Sequence, residues 1–114
     1  MLDVYGIKNC DTVKKALAWL DGNKVEYRFH DFKKEVLTAA TLDKWLKAVG
    51  WEVLLNRKGM TWRALPEKVR TDIDAKSARA LMLENPSNIK RPVVVRGAEV
   101  SCGFDTDTFA ARFR

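Results

Sequence analysis

The chain has 114 residues, of which 46% are hydrophobic and 32% charged, with 21 Lys and Arg against 15 Asp and Glu and a net charge of +6. This length and composition are typical of one globular domain that needs no disulfide framework. Because basic and acidic residues are interleaved along the chain and the basic clusters are only pairs, the net positive charge favours binding of small anionic ligands over binding of nucleic acid. Two cysteines, no signal-peptide pattern and no apolar run of about 18 residues predict a cytoplasmic protein that does not associate with membranes.

Residues 1–30 carry the pattern of a βαβ unit. A short apolar segment at residues 2–5, bounded by Gly6, predicts a strand near the centre of a sheet. The spacing of an amphipathic helix follows at Val13, Ala16, Leu17 and Leu20. Residues 25–30 then alternate apolar and polar side chains, which predicts a second strand with one buried face.

Residues 37–85 are predicted to form an insertion that is helical throughout. One apolar stripe runs from Leu42 to Val49 and ends at Gly50. Pro66 is predicted to open a further helical turn, and residues 75–83 form the last helix of the insertion.

The segment "IKRPVVVRGAEVSCGF" predicts a β-hairpin with a turn at residues 96–98, and residues 105–114 predict a closing helix. The element order is therefore βαβ, helical insertion, β-hairpin, α. It predicts an α/β protein with a thioredoxin-like fold, in which one domain of residues 1–114 forms a four-stranded mixed sheet with flanking helices and a helical insertion at about residues 37–85.

Cys10 lies where the first strand gives way to the first helix, in the segment "YGIKNCDT". The backbone N–H groups of Asp11, Thr12 and Val13 are predicted to point at its sulfur, where they favour the thiolate and bind anions. The pKa of Cys10 is therefore expected below the ordinary value of about 8.5, although the charge of Asp11 opposes the shift.

Val13 stands where a two-cysteine redox motif has its second sulfur. Cys10 therefore needs a thiol from another molecule, and glutathione or another small thiol is the expected co-substrate. No His or Cys companions stand at metal-ligand spacing, so neither a metal nor a nucleotide cofactor is expected.

Arg91 and Pro92 open the strand that follows the insertion. If the bond between them is cis, the preceding backbone is exposed for pairing with an extended thiol-bearing peptide, and Arg91 attracts its carboxylates. If the bond is trans, Pro92 merely begins an edge strand.

The blocks "YGIKNCDTVKKALAWL", "LLNRKG" and "NIKRPVVVRG" resemble the arsenate-reductase-like (ArsC/Spx) family, most closely its YffB-type members. The resemblance runs from Leu2 to the end of the chain. It implies a thioredoxin-like fold, a catalytic cysteine at Cys10 and oxyanion-binding arginines at Arg57 and Arg91. Without the resemblance, Arg57 reads as a solvated cation at a helix end.

The chain departs from the family pattern at three positions. Gly103 replaces a third arginine, Gly6 replaces a histidine, and Val13 replaces a serine of the arsenate reductases or the second cysteine of Spx-type regulators. These departures place efficient arsenate reduction in doubt and exclude disulfide sensing within the Cys10 turn. Two other residues are given structural roles, with Cys102 predicted to pack in the sheet and His30 to lie at the surface.

Two functions remain open. In the first, which is favoured, Cys10 is the nucleophile of a glutathione-dependent thiol/disulfide reductase, Arg57 and Arg91 hold an anionic substrate, and the residues beside them that contact it are Asp11, Thr12, Val13 and Pro92. In the second, the domain binds a protein partner without catalysis, as Spx-type regulators bind RNA polymerase. A weak arsenate reductase is a third reading that the resemblance allows.

Overall fold

The computed structural model describes residues 1–114. The chain forms two compact units, one made of Met1–Val36 together with Arg91–Arg114 and the other made of Leu37–Lys90. The residue range of the second unit agrees closely with that of the predicted insertion, about residues 37–85. Each unit has its own set of secondary-structure elements.

The first unit contains the four-stranded mixed sheet that was predicted. Its strands are β1 (Leu2–Gly6), β2 (Tyr27–Asp31), β3 (Val93–Arg96) and β4 (Glu99–Cys102). They lie in the order β2-β1-β3-β4, with β1 parallel to β2 and antiparallel to β3, and with β4 antiparallel to β3. The thioredoxin-like arrangement and the central position of the first strand are thus confirmed.

Two helices, α1 (Asp11–Gly22) and α7 (Thr106–Phe113), cover one face of this sheet. Alternate residues of β1 point to that face because successive side chains of a strand point to opposite sides. The buried core consists of Leu2, Val4, Ala16, Leu20, Val94 and Phe109. Phe109 is 1% exposed and packs edge-on against three aromatic rings, those of Trp19, Phe104 and Phe113.

The β3–β4 hairpin is tighter than predicted. Arg96 pairs with Glu99 in the sheet, so the loop contains only Gly97 and Ala98 rather than residues 96–98. The guanidinium of Arg96 also donates to the carbonyl of Arg112 in α7, at 2.8 Å, and lies over the Phe113 ring. These contacts tie the hairpin to the closing helix.

The second unit is helical, as predicted, and its helices are short and separated by turns. They are α2 (Ala39–Val49), α3 (Trp51–Leu54), α4 (Met60–Arg63), α5 (Glu67–Thr71), α6 (Ala75–Glu84) and a 3-10 helix at Pro86–Asn88. Gly50 ends α2 as predicted, whereas Pro66 is the residue before α5 rather than part of its first turn. None of the helices is long and apolar enough to cross a lipid bilayer.

An isolated antiparallel bridge between Leu55 and Ile89 joins the loop after α3 to the end of the second unit. On either side of it, Asn56 donates its backbone N–H to the carbonyl of Asn88 at 2.7 Å, and Lys90 donates to Leu54 at 2.8 Å. The segment that follows α3 is therefore anchored at its start.

His30 was predicted to lie at the surface, but in the structure it is half-buried and links two strands. Its Nε2 lies 2.8 Å from Asp3 on β1, its Nδ1 lies 3.0 Å from Glu35, and its ring stacks on Tyr5 at 4.4 Å between centroids. Arg28 adds a contact to the same Asp3 carboxylate at 3.2 Å. Burial would lower the pKa of His30, but the hydrogen bonds to Glu35 and Asp3 outweigh it and raise the pKa.

We expect this cluster to make the protein less stable as the pH rises. The imidazolium contributes fully below the ordinary histidine pKa of about 6.5, and its contribution is lost as the pH rises through the higher folded pKa. Between pH 6 and pH 9, the free energy of unfolding should fall by on the order of 1 kcal/mol more in the parent than in His30→Gln. Urea denaturation measures this difference when the parent and His30→Gln both carry Cys10→Ser. That substitution removes the contribution of Cys10, whose lowered pKa makes stability rise with pH. Since His30 is the chain's one histidine, parallel pH profiles would contradict the assignment.

Candidate active site

Cys10 is the residue immediately before the first turn of α1, at the carboxyl end of the central strand β1. The chain reaches this position by a short connection over residues 7–9, and Cys10 donates its backbone N–H to the carbonyl of Ile7 at 3.1 Å. The side chain is half-buried and forms no disulfide. The thiol thus stands at the amino end of a helix, as predicted.

The start of α1 lies close to the sheet because Gly6 has no side chain. A Cβ atom at this position would lie 2.8 Å from Cγ2 of Val13, which is closer than two carbon atoms approach without strain. Val13 itself is completely buried. The departures from the family pattern at positions 6 and 13 are therefore structurally linked, because the valine occupies the space next to the missing side chain.

Two kinds of donor act on the sulfur of Cys10. Burial would raise the pKa of the thiol, but the backbone N–H of Val13, the guanidinium of Arg91 and the N–H of Thr12 together lower it. The arrangement favours the thiolate, which is the nucleophilic form of cysteine.

Arg91 reaches this place because of the strand order. β3 runs antiparallel to β1, with Val93 opposite Tyr5, so the start of β3 lies at the same edge of the sheet as the end of β1. The Arg91–Pro92 bond is cis, which resolves the alternative left open by the sequence. Pro92 is buried, and its carbonyl accepts the N–H of Gly103 at 2.9 Å.

Gly103, where the family resemblance implies a third arginine, follows β4 directly. Its φ of +84° lies in the left-handed region that favours glycine. An arginine here would therefore strain the backbone that brings Gly103 to Pro92. The loss of this arginine is consistent with the local conformation of the chain.

The other predicted site residues take different places. Asp11 and Thr12 are exposed in the first turn of α1, whereas Val13 and Pro92 are buried. Cys102 is half-buried in β4, opposite Val93. No group of three or more His, Cys, Asp or Glu side chains converges to bind a metal ion.

Arg57 lies in the second unit, in the loop between α3 and α4. Its side chain is exposed, and its guanidinium carbon lies 5.1 Å from the ring centre of Trp51 and 6.0 Å from that of Trp62. Asn56 accepts the backbone N–H of Lys58 on its side-chain oxygen at 3.1 Å, which closes a turn around Arg57. Apolar spacing alone does not reveal this contact, although "NRKG" between two tryptophans is a visible signal for it.

Comparison with known proteins places these features in a family. A model of the ArsC family matches residues 5–112. The solution structure of an arsenate reductase (ArsC) related protein from Brucella melitensis is 54% identical, with a TM-score of 0.82 over 97% of this chain and 92% of that one. The structure of a YffB protein is 45% identical, with a TM-score of 0.93 over the full length of both chains. The global transcriptional regulator Spx 1 of Lactococcus lactis is 25% identical over 97% of this chain and 88% of its own.

We expect Gly6→Ala to destabilise the protein through contact with Val13. Overpacking of this kind costs about 1–3 kcal/mol, and urea denaturation measures the loss. Val13→Ala removes the clashing methyl groups, so the double variant should lose less stability than the sum of the two single variants. Strict additivity would show that the two positions do not press on each other.

We expect the thiol of Cys10 to have a lowered pKa. The rate of iodoacetamide alkylation of Cys10, followed against pH by mass spectrometry, should give a pKa below the ordinary value of about 8.5. Arg91→Leu should raise this pKa, because the guanidinium that stabilises the thiolate is gone. Arg28→Leu is the matched control, since Arg28 pairs with Asp3 instead, and it should leave the profile unchanged. An unshifted profile in Arg91→Leu would contradict the role given to Arg91.

Proposed function

Because the chain belongs to the ArsC family, we propose that it is a glutathione-dependent monothiol oxidoreductase in which Cys10 is the nucleophile. The single observation that carries the proposal is the convergence of a helix start and the Arg91 guanidinium on one thiol, with a valine in place of a second cysteine. The first two features stabilise a thiolate. The third means that the catalytic cycle depends on an external thiol.

In the first step, the Cys10 thiolate attacks a sulfur of a disulfide that contains glutathione. A new S–S bond forms between Cys10 and the glutathionyl sulfur, the old S–S bond breaks, and the other sulfur leaves as a thiolate. Arg91, whose guanidinium already contacts the Cys10 sulfur, is placed to attract the negative charge of an incoming substrate.

In the second step, the thiolate of a free glutathione attacks the glutathionyl sulfur of the mixed disulfide. Glutathione disulfide forms and Cys10 leaves as a thiolate, which restores the starting enzyme. The same donors that lower the pKa of Cys10 also make it a good leaving group. Val13 is completely buried and has no sulfur, so it does not compete with glutathione in this step.

Arg57 is assigned to the same function as a second arginine that binds the anionic groups of the substrate. Support comes from the likeness of "LLNRKG" to the family pattern and from the exposed guanidinium, which pairs with no carboxylate. Asp11, Thr12, Val13 and Pro92 complete the proposed substrate-binding set, of which Asp11 and Thr12 are the exposed members.

Arsenate is a poorer candidate substrate than a disulfide. The resemblance to arsenate reductases implies polar or charged groups at positions 6, 13 and 103, where this chain has Gly6, Val13 and Gly103. Here position 6 has no room for a side chain and position 103 has a backbone conformation suited to glycine. Each missing polar group removes a contact that would hold a tetrahedral oxyanion.

We expect incubation with glutathione disulfide to add one glutathionyl group to Cys10, and addition of reduced glutathione to remove it. Intact-mass spectrometry measures both steps, and peptide mapping distinguishes Cys10 from Cys102. Cys10→Ser should abolish the modification, whereas Cys102→Ser, the matched control, should retain it at nearly the parent rate. Modification of Cys102 in place of Cys10, or no reversible adduct, would contradict the proposal.

A second function, a non-catalytic protein-binding module, is favoured by the similarity to a transcriptional regulator named Spx. In that case Cys10→Ser should bind a partner such as purified bacterial RNA polymerase as well as the parent does. A stoichiometric complex that survives this substitution, together with no glutathione chemistry, would favour the binding module over the enzyme.

A further inference from the structure

The guanidinium of Arg57 is held by aromatic rings rather than by carboxylates. Its central carbon lies 5.1 Å from the centre of the Trp51 ring and 6.0 Å from that of Trp62, which is within the range of cation–π contacts. Trp51 begins α3 and Trp62 lies in α4, so one ring comes from each side of the loop that carries Arg57. We call these three residues the tryptophan clamp.

The backbone below the clamp is restrained as well. Asn56 donates its N–H to the carbonyl of Asn88 and accepts the N–H of Lys58 on its side chain. Gly59 closes the turn against the Asn56 side chain, since a Cβ there would lie 2.8 Å from Nδ2. The loop is thus tied at Asn56 and the side chain of Arg57 is held at its tip.

A clamp of this kind leaves the donors of the arginine available. Cation–π contacts use the faces of the rings and consume no N–H group, whereas an ion pair with a carboxylate would occupy the edge that a ligand needs. No Asp or Glu forms an ion pair with Arg57 in the structure. Arginine normally loses much side-chain freedom when it binds an anion, and the two rings remove part of that freedom in advance.

We propose that Trp51 and Trp62 are positioning residues that hold the Arg57 guanidinium ready for the carboxylates of a glutathione-containing disulfide. This inference rests on the proposed function. Trp51 is only half-buried, so its ring lies at the surface, where it contacts the Arg57 guanidinium. Trp62 is 9% exposed and contributes to the interior of its unit in addition. Trp51 is therefore the residue that tests the inference cleanly.

The test compares an anionic and a neutral disulfide. We expect Arg57→Ala to slow the formation of the Cys10 adduct with glutathione disulfide about tenfold, the usual effect of losing one charge-assisted hydrogen bond, and to leave the reaction with 2-hydroxyethyl disulfide unchanged. Trp51→Leu should reproduce this charge-selective loss at about two- to fivefold, and Trp51→Phe, which keeps an aromatic face, should recover most of it. Trp19→Leu is the matched control in the first unit and should alter neither rate selectively.

The double variant Trp51→Leu/Arg57→Ala decides whether the ring acts through the arginine. It should be no slower than Arg57→Ala alone, because a positioning residue has nothing left to position. Additive losses, or equal slowing with both disulfides, would overturn the inference while the chemistry of Cys10 stands. A charge-selective loss in Arg57→Ala with none in Trp51→Leu would do the same. Absence of any Cys10 adduct in the parent would instead overturn the proposed function.

Discussion

The packing of Val13 against Gly6 is the constraint on which the candidate site depends. Because position 6 has no side chain, the first turn of α1 approaches the carboxyl end of the central strand closely, and Cys10 is carried there with it. The backbone donors of Thr12 and Val13 and the guanidinium of Arg91 then act on a sulfur whose place is already determined by the backbone. The same contact places a valine, rather than a second cysteine, three residues after Cys10. One steric relation thus determines the place of the Cys10 thiol at the start of α1.

The two arginines are held by different physical means. Arg91 enters the site through strand order, since β3 begins at the edge where β1 ends, and its charge stabilises the thiolate directly. Arg57 is restrained by aromatic faces and a side-chain turn within its own unit, which leaves its N–H groups open to a ligand. A guanidinium that contacts the sulfur affects the reactivity of the cysteine, whereas one that is held away from acidic side chains is suited to recognise an anion.

Local patterns predicted most of the fold, and the contacts they missed depend on how distant segments align. The apolar run of β1, the helical spacing after Cys10 and the stop at Gly50 are each encoded within a few neighbouring residues, and the structure confirms them. The pairing of His30 with Asp3 follows from the register of two strands, which periodicity does not specify. Apolar spacing also predicted that the insertion is helical, whereas the four-residue helices α3 and α4 are too short to carry a periodic signal of their own. Proximity of Arg91 to Cys10 required the strand order, and the resemblance to a family supplied it.

The discontinuity of the first unit has a consequence for biosynthesis. The central strand β1 has β2 beside it early in translation, but its other neighbour, β3, follows the entire segment Leu37–Lys90. Val94 and Phe109, which complete the core around Leu2 and Val4, emerge from the ribosome last. Until then the nascent amino-terminal portion exposes one edge of β1 and an uncovered apolar surface. The helical unit Leu37–Lys90, by contrast, is continuous in sequence, so its internal contacts need no later residue. The thiol therefore acquires its arginine only after the whole of Leu37–Lys90 has been synthesised.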